Sequence, residues 1–179
     1  LRFDGAAALQ RSLAREVRAA PADAREVLLF VHGYNTNFAE GLYRVAQLRH
    51  DFDFPGALVL FSLASAGDPR GYAYDRDSVL YSRDAFKSVL DALTDTAGDR
   101  VFLLAHSMGS QLVMETLRQA ALSGDRTLLN RVNGVVLMSP DIDPDVFRQQ
   151  AEAIGTLPQP FMIFVSQQDR ALSLAGFLT

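Results

Sequence analysis

The chain has 179 residues, 49% hydrophobic and 21% charged, enough apolar material for one globular domain over residues 1–179. A net charge of -4 with dispersed Lys and Arg argues against nucleic acid as a partner, and the lack of cysteine removes disulfides, thiolate metal sites and cysteine nucleophiles. No apolar run approaches the length of a membrane span, and the opening on Leu1 rather than methionine reads as an excerpt or a processed product, which leaves localisation open.

Residues 6–20 are rich in helix formers, with Leu9, Leu13 and Val17 four apart in one apolar stripe, and Pro21 stops the helix. Residues 26–31 form an apolar run predicted as a buried strand, which leads directly into His32-Gly33-Tyr34-Asn35. Asn37 with Glu40 three later is a capping signal for a helix carrying Leu42, Val45 and Ala46 on one face. A third strand is predicted over 57–62, opened by Pro55-Gly56. The polar, turn-rich stretch 64–71 then leads to a long helix over about 75–97, with Val79, Phe86, Val89, Leu90 and Leu93 at helical spacing and Gly98 closing it.

Residues 101–105, Val-Phe-Leu-Leu-Ala, are continuously apolar, as suits a central parallel strand covered on both faces. A helical period starts at Gly109 and runs to Leu122, so Ser107 falls on a strand-to-helix corner. The small residues Ala105 and Gly109 flank it, as the GxSxG nucleophile elbow requires where strand and helix pass within contact distance. Such a corner raises the serine oxygen above the sheet edge and turns the first helix amides toward developing negative charge. The competing reading makes Ser107 an ordinary helix N-cap.

Beyond a turn at 123–125, a strand is predicted over 132–138, a short helix from Asp143-Pro144 to Gly155, and a last strand over 160–166 followed by Asp169. Buried strands alternating with helices imply an α/β fold, a doubly wound and mainly parallel sheet with helices on both faces. Chemistry in such sheets gathers at the carboxyl ends of the strands. Those ends carry His32-Gly33-Tyr34, Ser62, His106-Ser107, Ser139-Pro140-Asp141 and Asp169. No GxGxxG follows the first strand, which disfavours a dinucleotide-binding fold, and no ligand spacing of acids and histidines suggests a metal; no cofactor is expected.

With VHGYN at 31–35 and AHSMG at 105–109, the chain resembles a bacterial α/β-hydrolase family of unknown function, and the likeness runs from Val31 to Leu172. It departs from that family at Leu63-Ala64, where Trp-Pro is usual, which bears on the pocket wall. The resemblance implies Ser107 as nucleophile and the backbone amides of Tyr34 and Met108 as the oxyanion hole. It favours His32 as a brace for its loop over a base, and Asp169 over its rival Asp141, which also reads as part of a turn and helix cap. The implied substrate is a small-molecule ester or acyl compound.

The family order puts the catalytic histidine after Asp169, and residues 170–179 contain none. His106 adjoins Ser107 and should point away from it, and His50 should lie exposed on a helix. The resemblance, with no histidine after Asp169, favours a truncated hydrolase core whose histidine lies outside this chain. The alternative is a hydrolase-fold binding or scaffolding domain. Residues 65–74, with Tyr72 and Tyr74, are expected either as part of a lid or as a surface loop.

Overall fold

The structure is a computed structural model, and it describes residues 6–68, 70–97 and 100–165. Five strands, β1 (Val27–Val31), β2 (Ala57–Phe61), β3 (Val101–His106), β4 (Val132–Met138) and β5 (Phe161–Phe164), form one sheet in the order β2-β1-β3-β4-β5. Every neighbouring pair is parallel. The chain starts in the middle of the sheet, steps outward to β2, then crosses back to β3 and continues the other way. The strand order therefore reverses between β1 and β3, the position at which open α/β sheets form their crevice.

Alternation along each strand feeds two cores, because successive side chains point to opposite faces. Val27, Leu29, Val31, Leu103, Ala105, Val135 and Leu137 join the larger one, with residues from α1 (Ala6–Ala19), α3 (Tyr72–Ala97), α4 (Met108–Leu122), α5 (Arg126–Arg131) and α6 (Pro144–Ile154). Phe30, Leu104 and Val136 face the other way, against Val45 and Leu48 of α2 (Phe38–Asp51). Helices thus lie on both faces, as the pattern predicts.

Several local signals act as read. Asn37 caps α2 by accepting the Glu40 amide at 3.0 Å while the Glu40 carboxylate accepts the Asn37 amide at 2.9 Å, which satisfies two otherwise unpaired groups of the helix end. The Asp143 carboxylate accepts the amides of Asp145 and Val146, and Pro144 fills the first turn of α6. Val79, Phe86, Leu90 and Leu93 of α3 are buried.

Other expectations are corrected. Leu42 of α2 is exposed, and Ala46 with it; the face toward the sheet is Gly41, Val45 and Leu48. The helix sits so close at Gly41 that an added Cβ would lie 3.1 Å from Leu60 and 3.5 Å from the His32 ring. α3 begins at Tyr72 instead of near Asp75, because the loop closes in a turn whose Gly71 amide reaches the Asp68 carbonyl. Tyr72 and Tyr74 are accordingly helical, outside the expected loop. A one-turn 3-10 helix (Ala22–Ala24) and α5 add to the expected elements; β1, β2 and β5 run slightly shorter than expected, β4 matches, and β3 extends one residue further, to His106. The expected closure at Gly98 and the residue Asp169 lie outside the described residues.

Candidate active site

Ser107 occupies the junction between β3 and α4 at the reversal of strand order. Its backbone stands at φ 52°, ψ -125°, a region that costs a residue with a Cβ about 1–3 kcal/mol and persists only where the surroundings enforce it. The enforcement is visible on both sides. The Ser107 amide donates to the Met138 carbonyl at 3.0 Å, and the Ser107 carbonyl accepts the amides of Ser110 at 2.9 Å and Asp141 at 3.3 Å. Its side chain makes no capping hydrogen bond, so the N-cap reading of this serine does not hold.

Two glycines allow the crowding. A Cβ at Gly109 would lie 2.6 Å from the carbonyl oxygens of both Val31 and His32, so α4 leaves the elbow in contact with the end of β1. A Cβ at Gly33 would lie 2.5 Å from the Ser107 Cβ and 2.8 Å from the His106 carbonyl. The loop after β1 is therefore pressed directly against the serine. Tyr34 follows Gly33 on that loop, and buried Met108 is the first residue of α4, whose opening amides have no acceptor inside the helix.

His32 is 1% exposed and braces this loop. Its Nδ1 lies 2.9 Å from the Gly33 carbonyl, which can only accept, so Nδ1 carries the proton and Nε2 accepts from the Ser62 hydroxyl at 3.0 Å. Burial lowers its pKa below the ordinary 6.5, against the opposing pull of the Gly33 carbonyl and the charges of Asp75 and Glu40. Both ring nitrogens are engaged away from Ser107. His50 is exposed on the last turn of α2 beside Asp51, 3.2 Å away. His106 is exposed at the end of β3, and its Nδ1 would lie 3.1 Å from a Cβ at Gly33.

Asp141 stands at the end of the turn after β4, at the same rim. Its carboxylate accepts the Tyr72 hydroxyl, at 3.1 Å to Oδ2 and 3.4 Å to Oδ1. Burial, followed by the Asp141 charge and hydrogen bond, pushes the Tyr72 pKa up to about 12, so this phenol keeps its proton at any physiological pH. The Tyr72 ring also packs edge-on against Tyr34, with centroids 5.5 Å apart. Tyr72 thus ties the loop after β1 to the turn after β4.

Sequence reading missed Asp75. It is 4% exposed in the first turn of α3 and accepts hydrogen bonds from Asn35, Ser65 and Ala66. Nothing in the local pattern marks it, since an Asp in a first helical turn is generic.

Cavities follow the same geography only in part. One of about 350 Å³ opens beneath α2 beside His32, His106 and Met138. A larger cleft of about 740 Å³ lies between α1 and the end of α3, lined by Arg11, Arg15 and Arg18. That end of α3 leads into the start of β3, so this cleft lies toward the amino ends of the strands, whereas Ser107 follows the carboxyl end of β3. Among the described residues, no group of His, Asp and Glu could hold a metal ion.

No curated protein matches the chain. Among solved structures it is similar, at 14% identity and a TM-score of 0.47, to the Francisella virulence factor BioJ, over 85% of this chain and 60% of that one. Brefeldin A esterase, a bacterial homologue of human hormone-sensitive lipase, is similar at 14% identity and a TM-score of 0.42, over 84% of this chain and 57% of that one. Esterase 2 of Thermogutta terrifontis gives 14% identity and a TM-score of 0.40, over 84% of this chain and 67% of that one. The chain therefore spans well under two thirds of the length of the first two. The family model "Alpha/beta hydrolase of unknown function (DUF900)" matches residues 5–179, and the chain belongs to that α/β-hydrolase family.

Proposed function

We propose that this protein is a serine hydrolase that cleaves small-molecule carboxylic esters through an acyl-enzyme on Ser107. The observation that supports the reading most is the backbone of Ser107, held at φ 52° without a capping role, at the carboxyl end of the central strand. A strained conformation at the mouth of an α/β sheet is what a nucleophile needs to stand clear of its strand and helix.

In this reading the Ser107 Oγ attacks the ester carbonyl and gives its proton to a histidine. The backbone amides of Tyr34 and Met108 donate to the oxyanion as charge develops on it. Collapse of the tetrahedral intermediate releases the alcohol, which takes the proton from the histidine, and water then attacks the acyl-enzyme by the same route in reverse. The histidine is supplied from outside these residues: His32 is committed to Gly33 and Ser62, His50 is remote, and His106 shares the strand face of Leu104, toward α2, where it lines the cavity beneath that helix. Asp169 orients it.

Turnover of a short p-nitrophenyl acyl ester by the full-length protein tests the reading. Ser107→Ala should lower kcat by at least about a thousandfold, since a triad without its nucleophile keeps only the residual effect of binding and the oxyanion hole. Unchanged turnover in that variant would remove Ser107 from the chemistry.

A further inference from the structure

We infer that Asp75 is the positioning residue of the oxyanion loop: a buried carboxylate that fixes the backbone beside Tyr34 to the loop after β2. The inference rests on the proposed role of the Tyr34 amide. Asp75 Oδ2 accepts the Asn35 amide at 3.1 Å and the Ser65 hydroxyl at 2.7 Å, and Oδ1 accepts the Ala66 amide at 2.7 Å. The three donors come from two loops, 40, 10 and 9 residues away in the chain. Ser65 cannot easily turn elsewhere, because its oxygen also accepts the Gly67 amide at 3.1 Å, which directs its proton toward Asp75.

The site of attachment matters more than the number of bonds. Asn35 has φ 52°, so the chain turns sharply immediately after Tyr34, and an anchored Asn35 amide fixes the plane of the Tyr34–Asn35 peptide. Tyr34 is gripped a second time from the same helical turn, by the edge-on contact between its ring and Tyr72, three residues before Asp75. On its other side the loop meets Ser107 through Gly33. The loop is thus clamped between the elbow and the start of α3, and Asp75 supplies the carboxylate that takes its backbone directly. The Tyr34 N–H belongs to the preceding Gly33–Tyr34 peptide, held between this anchored peptide and the contact of Gly33 with Ser107, so it is aligned before any substrate arrives, which is the condition under which an oxyanion donor lowers a barrier.

Asp75→Asn is the informative substitution because it keeps the shape. Whichever way the new amide is turned, its NH2 faces a backbone N–H, of Ala66 on one side or Asn35 on the other, and one bond becomes a repulsion. A displacement of the loop by about 1 Å is expected to cost on the order of a hundredfold in kcat. Substrate binding elsewhere is untouched, so KM should stay within about threefold.

The experiment uses the full-length protein, with kcat and KM for a p-nitrophenyl ester, thermal melting, and residue-resolved amide exchange. The expected result is a folded Asp75→Asn protein with kcat down about a hundredfold, KM little changed, and faster exchange of the Asn35 and Ala66 amides. Asp77→Asn, which removes a carboxylate from the exposed side of the same helix, should leave all of these unaltered. Should Asp75→Asn fail to fold, Ser65→Ala keeps the carboxylate and removes one of its donors, with a severalfold fall in kcat expected at constant KM. A folded Asp75→Asn protein with wild-type kcat, or one impaired only through KM, would overturn the inference. Absent turnover in the wild-type protein would defeat the serine-hydrolase reading instead, and unchanged exchange at Asn35 would then still refute the clamp.

Discussion

Replacing Gly33 by alanine adds one methyl group at the tightest contact of the site. The new carbon would sit 2.5 Å from the Ser107 Cβ, 2.8 Å from the His106 carbonyl oxygen and 3.1 Å from His106 Nδ1. Non-bonded carbons rest at about 3.5–4.0 Å, so the loop and the elbow must separate by roughly 1 Å. Two of the three obstacles, a Cβ and a backbone carbonyl, cannot rotate out of the way. The elbow is pinned by the Met138 carbonyl and by Ser110, so the loop has to give. Overpacking of this kind costs about 1–3 kcal/mol of stability. At about 2–4 °C per kcal/mol for a domain of this size, that is a fall in Tm of several degrees. The effect on reactivity should be far larger, about a hundredfold, because the donors on the loop move relative to Ser107. The assay is the rate of modification by a fluorophosphonate, followed by intact mass beside thermal melting. Gly124→Ala provides the contrast: its φ is +77° but nothing lies within 4 Å of an added Cβ. It should lose about 1 kcal/mol to backbone strain and react at the wild-type rate. A Gly33→Ala protein that is modified as fast as wild type would refute the reasoning.

Two further outcomes concern stability. His32 has a folded-state pKa below its ordinary value of 6.5 because it is buried, so the unfolded chain binds the proton more readily. Its contribution is complete above about 6.5 and declines as pH falls from there toward the folded-state value; urea midpoints at pH 7.5 and 5.5 should show this loss, and His32→Gln should flatten it. Asp143→Ala removes the acceptor for the Asp145 and Val146 amides and should cost about 1 kcal/mol by urea titration, with no change in fluorophosphonate reactivity.

What could be read from the chain and what could not divides along a physical line. The capping box at Asn37 and Glu40, the N-cap at Asp143 and the elbow at Ser107 are legible because each is written in a few consecutive residues. The parallel sheet is legible because apolar runs and helical periods alternate. The inward face of α2 is not, since Gly41 carries no hydrophobic signal, yet its lack of a side chain is what lets the helix lie against Leu60 and His32. The start of α3 depends on a turn at Gly71 that looks like loop from its composition. Asp75 is the deeper omission, and Tyr72, read as part of a lid or surface loop, was placed without its partners. Their partners, Asn35 and Ser65 for one and Asp141 and Tyr34 for the other, are brought together by packing and lie up to 69 residues away. Spacing along the sequence cannot encode such contacts.

The central claim is that Ser107 is an activated nucleophile, and intact-mass analysis of the full-length protein after exposure to a fluorophosphonate tests it most directly. One adduct per chain is expected, mapping to Ser107 and absent from Ser107→Ala. A folded protein that takes up no adduct, or a Ser107→Ala protein that still does, would contradict the account and shift the fold's role toward ligand binding without chemistry.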